Sequence, residues 1–502
     1  MLYLKESELS SRLRPYSENM NKRSSPYILL FGSSALALTA FHPSVLFALA
    51  VVQLLLILLF VAGRQWSLRR SHSYSAADLP SEVHSSPFFS IQIATYSEPP
   101  ELVIQTLDSL RGLKGAPYEV LVVDNNTPDP QMYEPVEAYC QENGFRFFHF
   151  DDVKGAKAGA LNLVRQRVDD RTSHVIILDA DYMAEPDLLE QAARHVGGPA
   201  LALLQFPQSY RNGNKQCPLA HEYASFFDVY MTTAQEARSV LSTGTAAVVE
   251  RHALEAVGGW PTTTITEDAD LGLLFAAHGY RTLYVHRAVA RGLMPTCPGE
   301  FLKQRSRWIK GNLQCLGKHR LSELPLEGRC SAFLQLTAWV SPLVFFPLIV
   351  LIATGYAVYG AAGSLPQTAL ALANASAGIY LAFSALFFLR SDPSRPFTTR
   401  AEAFLVHLGT YWTSLVAVME ALSGKDLKFE RTSKEINGGE GTSAISQGPI
   451  WATLLCLGFA AICLHVSPQL ALAWTFLGLP WVGRTYLENV LRKIEKRSLS
   501  NV

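Results

Sequence analysis

Val175-Ile176-Ile177-Leu178-Asp179-Ala180-Asp181 is an apolar, β-branched run that ends abruptly on two carboxylates. A short run of this kind reads as a strand buried on both faces, and the acids mark where it reaches water. Four more runs share its character: Phe89–Ala94, Glu119–Asp124, Phe145–Phe150 and Leu201–Phe206. Between them lie amphipathic stretches such as Glu101–Leu110 and Ala156–Val168. Strands alternating with helices of this length predict an α/β domain over residues 86–320 with a mostly parallel sheet. Its ligand crevice is expected at the carboxyl ends of the strands, beside Asp124 and Asp179.

Outside this domain the charge distribution changes. The 502 residues hold 43 basic and 43 acidic side chains, and charged residues are 17% of the whole. Soluble domains average roughly 25%. Three blocks, Pro26–Gly63, Cys330–Leu389 and Gly448–Gly483, carry no Lys, Arg, Asp or Glu. Together they hold 134 residues; the remaining 368 carry every charge, about 23% of their number. The arithmetic excludes a wholly soluble, a wholly membranous and a disordered chain. Zero net charge gives no support to nucleic-acid binding. The seven cysteines, scattered and without a C-x-x-C pair, argue against a disulfide framework or a zinc site.

Read for membrane topology, residues 1–25 form a cytoplasmic N-terminal segment and 26–63 a hairpin turning at His42-Pro43, with one long tilted span as the rival reading. Lys22, Arg23, Arg64, Arg69 and Arg70 flank this block, which favours both ends in the cytoplasm. A signal peptide fits less well, because the leading segment is long and partly acidic. Residues 330–389 form a second hairpin preceded by an interfacial stretch. Residues 402–422 place Phe404, Leu408, Tyr411, Leu415, Val418 and Leu422 at helical spacing, which suits an interfacial helix. Residues 423–447 form a cytoplasmic loop, 448–483 a third hairpin turning at Ser467-Pro468, and 484–502 a cytoplasmic tail. The expectation is six spans.

Four motifs fall in order on the α/β domain: Val122-Val123-Asp124, Asp179-Ala180-Asp181, Thr266-Glu267-Asp268, and Gln304-Arg305-Ser306-Arg307-Trp308. This order resembles the processive family 2 glycosyltransferases, notably bacterial cellulose synthase catalytic subunits and curdlan (β-glucan) synthases. The resemblance covers residues 86–435, and T-E-D followed by Q-x-x-R-W is its most specific part. It implies a GT-A-type, Rossmann-like domain inserted in an α-helical membrane domain.

The chemistry suits these residue types. Paired carboxylates on a strand-end loop can hold Mg²⁺ or Mn²⁺ against the diphosphate of a nucleotide sugar. Asp179 and Asp181 take that role, with Asp181 the direct ligand by analogy; D-x-D alone is a common solvated turn. Asp268 is the candidate general base, its proton affinity raised by the neighbours Glu267 and Asp270. A capping role for Asp268 at the helix that begins there competes with this. Gln304, Arg307 and Trp308, spaced i, i+3 and i+4, share one helical face. The resemblance gives Gln304 and Arg307 to the donor and Trp308 to the acceptor end. The competing reading is a basic interfacial helix whose Lys303, Arg305, Arg307 and Lys310 snorkel to headgroups.

Further matches carry the resemblance. Ala94-Thr95-Tyr96-Ser97-Glu98-Pro99 is similar to the family's T-Y-N-E segment near the nucleoside; Thr95, Tyr96 and Glu98 match and Ser97 departs. Lys157-Ala158-Gly159-Ala160-Leu161-Asn162 is similar to its K-A-G-x-L-N stretch, which implies Lys157 near the donor and Gly159 against base or ribose. Gly244 and Thr245 in Ser242-Thr243-Gly244-Thr245-Ala246 resemble the acceptor-site G-T segment of glucan and mannan synthases. Phe429-Glu430-Arg431-Thr432-Ser433-Lys434-Glu435 resembles the gating loop of cellulose synthases, with Phe429, Thr432 and Lys434 matching and Arg431 and Glu435 departing; a solvated linker is the alternative.

The resemblance implies a processive inverting transferase in the plasma (inner) membrane with a cytoplasmic catalytic domain. Its partners would be a UDP-sugar, UDP-glucose by preference, a growing β-linked polysaccharide and the bilayer, with an accessory export or regulatory subunit left open. Trp339, Tyr356 and Tyr359 are candidate channel-lining residues. The rivals are a non-processive transferase acting on a lipid carrier and a transporter with an incidental α/β domain. Against the transporter, the expected spans hold no ionisable Lys, Arg, Asp or Glu.

Overall fold

The computed structural model describes residues 43–75, 87–198, 200–318, 321–358, 367–423 and 447–500. The described strands are β1 Phe89–Thr95, β2 Tyr118–Asn125, β3 Arg146–Phe150, β4 His174–Asp179, β5 Met183–Ala184, β6 Leu201–Gln205, β7 Ser209–Tyr210, β8 Ala247–Glu250, β9 Arg281–Tyr284 and β10 Ala290–Gly292. The five runs read from sequence are β1, β2, β3, β4 and β6, each within a residue of its expected end.

Seven strands form one sheet in the order β3-β2-β1-β4-β8-β6-β9. Pairs β1–β2, β1–β4, β2–β3 and β6–β9 are parallel, while β8 runs antiparallel between β4 and β6. Strand alternation sends Ile91, Ile93, Val120, Val122, Ile176 and Leu178 into one core layer. Val123, Val175, Ile177 and Val249 enter the other. Val103 and Leu107 of the Pro100–Ser109 helix cover the first face, and Leu161, Val164, Leu271 and Phe275 cover the second. Both faces are buried, so the strands read as continuous apolar runs.

Strand order reverses between β1 and β4, and ligands of open α/β sheets bind at such a switch point. Strand β8 was missed in the sequence because it is only four residues long. Its antiparallel direction sets Ala247 opposite Ile177. The loop Ser242–Ala246 is thereby carried to the carboxyl end of β4. A smaller sheet, β5-β10-β7, follows the D-x-D turn.

The chain divides into two compact units. One comprises Phe60–Ser341, Ala382–Trp451 and Pro480–Val502 and contains the sheet. The helix Phe397–Leu408 in it packs on Pro218–Ser225, and Tyr411–Leu422 packs on Pro298–Lys318. Gly409 sits between Phe397–Leu408 and Tyr411–Leu422 at a backbone crossing: a Cβ there would lie 2.7 Å from the Gly483 carbonyl oxygen. The other unit comprises Met1–Leu59, Pro342–Leu381 and Ala452–Leu479. Its apolar helices are tied by buried polar side chains. Gln53 donates to the Pro342 carbonyl at 2.7 Å, Asn374 to the Gln469 carbonyl at 2.8 Å, and Trp474 Nε1 to Thr354 Oγ1 at 3.0 Å.

Four described helices are long and apolar enough to cross a membrane: Ser44–Ser71, Gln367–Ser391, Phe397–Leu422 taken end to end, and Gln447–Leu464. The expected count of six is not reached among the described residues. Phe346–Val358 is shorter, and the first arm of the 26–63 hairpin lies outside them. The stretch 402–422 was expected to lie along the interface; within Phe397–Leu422 it is long and apolar enough to cross only when taken across a break at Gly409-Thr410. The first helix runs Pro43–Ser71, past Gly63. Arg64, read from sequence as a flanking basic residue, is 3% exposed. It donates to the Tyr230 hydroxyl at 2.9 Å and lies over the Phe60 and Phe387 rings, which satisfies the guanidinium inside the fold.

Candidate functional site

Lys157 organises the crevice. It is the second residue of the helix Ala156–Val164, whose preceding Gly155 adopts a left-handed backbone at φ 86°. Lys157 Nζ lies 2.5 Å from Asp179 Oδ1 and donates to the Gly244 carbonyl at 2.7 Å. Asp179 ends β4, and its backbone N–H is received by Thr245 Oγ1 at 3.0 Å. Thr245 is fully buried, so its hydroxyl fixes the strand end and does not face the crevice. Gly244 is left-handed at φ 84°, and a Cβ on it would sit 2.8 Å from Asp268 Oδ2. Glycine is needed there for both conformation and approach.

Glu267 and Asp268 open the helix Glu267–Ala277, with Thr266 as the N-cap residue. Asp268 is therefore not the cap. Burial and the adjacent Glu267 push the Asp268 carboxyl up to about 7. Burial raises Glu267 as well, with Lys157 and Arg307 opposing it. Asp270 does not share this expected role. It turns to Thr264 Oγ1 at 2.9 Å and Lys318 Nζ at 2.8 Å. Arg307 lies in the field of Glu267, Asp179 and Asp268. Five segments far apart in sequence thus place Lys157, Asp179, Gly244, Glu267, Asp268 and Arg307 in one electrostatic group.

The two D-x-D acids differ. Asp179 is partly open, whereas Asp181 is 1% exposed and accepts from the Leu293 N–H at 2.7 Å, tying β10 to the turn. The described residues contain a three-donor group, His221, Asp228 and Asp392, but it lies outside these motifs.

At the end of β2, Asp124 Oδ1 accepts from Thr95 Oγ1 and Thr127 Oγ1, both at 2.8 Å. Its Oδ2 lies 2.9 Å from His149 Nδ1, and Tyr133 stacks on His149 at 4.1 Å. Tyr96 is exposed and Glu98 half-buried beside it. Ser97 takes a left-handed φ of 49°, a conformation that asparagine tolerates better. Gly159 is buried where a Cβ would meet the Lys154 carbonyl oxygen, so the chain's own loop occupies that approach.

The helix Pro298–Lys318 carries the last motif. Gln304 Oε1 accepts from the Tyr223 hydroxyl at 2.5 Å, and Trp308 packs against Trp339 with ring centres 4.8 Å apart. The snorkelling alternative does not describe this helix. Lys303 pairs with Glu300 at 3.3 Å, Lys310 with Glu420 at 3.1 Å, and Arg305 with buried Glu222. Phe429, Thr432 and Lys434 lie outside the described residues, as does Tyr359.

Sequence reasoning missed His149, Tyr223, Glu222 and Arg64. None belongs to a spaced motif; only His149, in register with Asp124 across β2 and β3, could have been reached by pairing the strands. It also missed a small, water-sized cavity of about 10 Å³ lined by Arg64, Glu222, Tyr230, Trp339 and His407. Part of its wall is a π-helical turn, Phe226–Met231, of a kind frequent at functional sites.

Residues 174–389 match the family model described as glycosyl transferase family group 2. The chain is 26% identical over 289 residues to the cellulose synthase catalytic subunit (UDP-forming) of Xanthomonas axonopodis pv. citri (strain 306), covering 56% of this chain and 38% of that one. It is 31% identical over 239 residues to probable glucomannan 4-beta-mannosyltransferase 1 of Arabidopsis thaliana, covering 45% and 43%. The chain thus spans less than half the length of these curated relatives. A solved structure, mannosyltransferase PcManGT from Pyrobaculum calidifontis in complex with GDP-Man and Mn²⁺, aligns with a TM-score of 0.54 at 19% identity, over 75% of this chain and 100% of that one.

Proposed function

We propose that this chain, which carries a family 2 glycosyltransferase domain of GT-A-like fold, polymerises the sugar of UDP-glucose into a β-linked polysaccharide at a membrane and passes the product across it. The single observation that carries the reading is the juxtaposition of Asp268, raised to about 7, with Lys157, Asp179 and Arg307 at the switch point of the sheet. A general base acts as the ionised carboxylate, and a raised proton affinity makes it a stronger one near neutral pH, while its cationic neighbours suit a diphosphate leaving group.

In this reading Asp268 removes the proton from the acceptor hydroxyl. The freed oxygen forms its bond to the anomeric carbon while the bond from that carbon to the diphosphate oxygen breaks, so the anomer inverts. Arg307 and Lys157 offset the charge that gathers on the departing nucleoside diphosphate. To reach the donor, Lys157 exchanges its Asp179 contact for phosphate oxygens. Trp308 offers an aromatic face to the acceptor sugar.

Asp179 and Asp181 fit a hard divalent cation as a two-carboxylate set that substrate phosphates would complete. Asp179 faces the crevice, and Asp181 has one oxygen committed to Leu293. A bound Mg²⁺ or Mn²⁺ would neutralise charge on the diphosphate.

The test uses purified full-length protein with UDP-glucose or GDP-mannose and either cation. UDP release with a long β-linked product supports the proposal. Transfer of one sugar to a lipid acceptor would return the non-processive reading, and consumption of GDP-mannose alone would replace the donor.

A further inference from the structure

We propose that Glu222, acting through Arg305, is the positioning residue that sets the pose of Trp308 and thereby the length of the product. The inference rests on the reading of Trp308 as the acceptor platform.

Arg305 sits within the Gln304–Trp308 segment but on another face of the helix, and it is 1% exposed. Its guanidinium Nη2 pairs with Glu222 Oε2, and Glu222 is 2% exposed on the helix Pro218–Ser225. The other Glu222 oxygen faces His407 Nδ1 at 3.6 Å. Arg305 Nε and Nη1 find no hydrogen-bond partner among the described residues. Aromatic faces surround the group instead: Tyr223 at 4.4 Å, Trp308 at 4.9 Å, Phe301 at 5.0 Å and Trp339 at 5.2 Å.

This cation therefore lies about equally close to both tryptophans, whose own ring centres are 4.8 Å apart. Tyr223, adjacent to Glu222 in sequence, holds Gln304 by its hydroxyl and meets Trp308 edge-on at 6.0 Å. The buried ion pair thus bears on Trp308 directly, while Gln304 keeps its own partner in the Tyr223 hydroxyl. A buried pair of this kind is weak evidence for stability, since well-packed apolar residues often replace it without loss. Its defensible role is to select one arrangement of the rings around it. Because Arg307 lies on the donor face with Asp179 and Glu267, disturbing Arg305 should alter acceptor engagement and leave donor binding alone.

The experiment compares wild type with the double variant Glu222→Met plus Arg305→Met, which removes both charges together, and with Arg305→Lys. Mean product length, UDP-glucose KM, UDP release to water and quenching of tryptophan fluorescence by cellohexaose are measured on the full chain. The expected result for the double variant is product at least fivefold shorter and cellohexaose affinity at least tenfold weaker. Donor KM and hydrolysis should stay within twofold, with Arg305→Lys intermediate. Wild-type product length and cellohexaose affinity in a folded double variant would overturn the inference. If the double variant does not fold, Arg305→Lys carries the test alone, and unchanged length and affinity there overturn it. Failure of the wild type to release UDP from UDP-glucose or bind cellohexaose would instead overturn the functional reading.

Discussion

Asp268 is where residue-scale physics is sharpest. Its carboxyl is lifted from 3.8 to about 7 by burial and by Glu267. As a base it works only when ionised, so kcat/KM for sugar transfer should rise with pH as a single ionisation near 7. Asp268→Asn should lower turnover about 10²- to 10⁴-fold with normal expression; near-normal polymer output would remove it from the mechanism. Linkage fixes the sign for stability. Between about 4 and 7 the folded protein keeps a proton that the unfolded chain has lost, so this group's contribution falls as pH rises through that window and is flat above it. Thermal melting of the donor-free protein across pH 4–8 reads this, with Asp268→Asn showing a shallower decline. Gly244→Ala should act on the same carboxylate from outside. The new methyl meets Asp268 Oδ2 and the left-handed backbone resists it, so we expect a loss of about tenfold to a hundredfold in turnover, with donor affinity nearly unchanged.

Elements explain what the motifs alone could not. The run Val175–Asp181 reads correctly as a strand ending in acids, because buried parallel strands are apolar throughout and need no partner to be recognised. Strand β8 is too short to stand out, yet it decides that Gly244 meets Asp268. Likewise Gln304, Arg307 and Trp308 were legible from helical spacing, whereas the neighbouring Arg305 read as one more surface cation. Only packing against Glu222 turned it inward. At the crossing of Gly409 with Gly483, backbones approach so closely that a side chain has no room. Gly409→Leu should cost about 1–3 kcal/mol by overpacking, measured as a lower melting temperature in detergent. Gly458→Leu, where a Cβ meets nothing within 4 Å, is the matched control and should change it little.

For the whole molecule, charge-free blocks and a charged α/β domain were visible in composition alone. Four described helices meet the length and apolarity needed to cross a membrane. If residues 423–447 face the cytoplasm and cover the donor, Lys434→Ala should raise UDP-glucose KM several-fold. A cysteine at Ser443 should then label only from the cytoplasmic side of sealed vesicles; labelling from the other side overturns the topology. By itself, the sequence determined the strand-helix alternation, the apolar blocks and the residue types of the site, since these follow from local pattern and period. Tertiary structure alone decided which partner each charged side chain takes. Asp179 meets Lys157, Asp181 holds Leu293, Asp270 turns to Lys318, and Arg64 and Arg305 go inside. The reason is physical: a charged side chain's role depends on the partner that offsets its desolvation, and those partners come from segments far away in the chain.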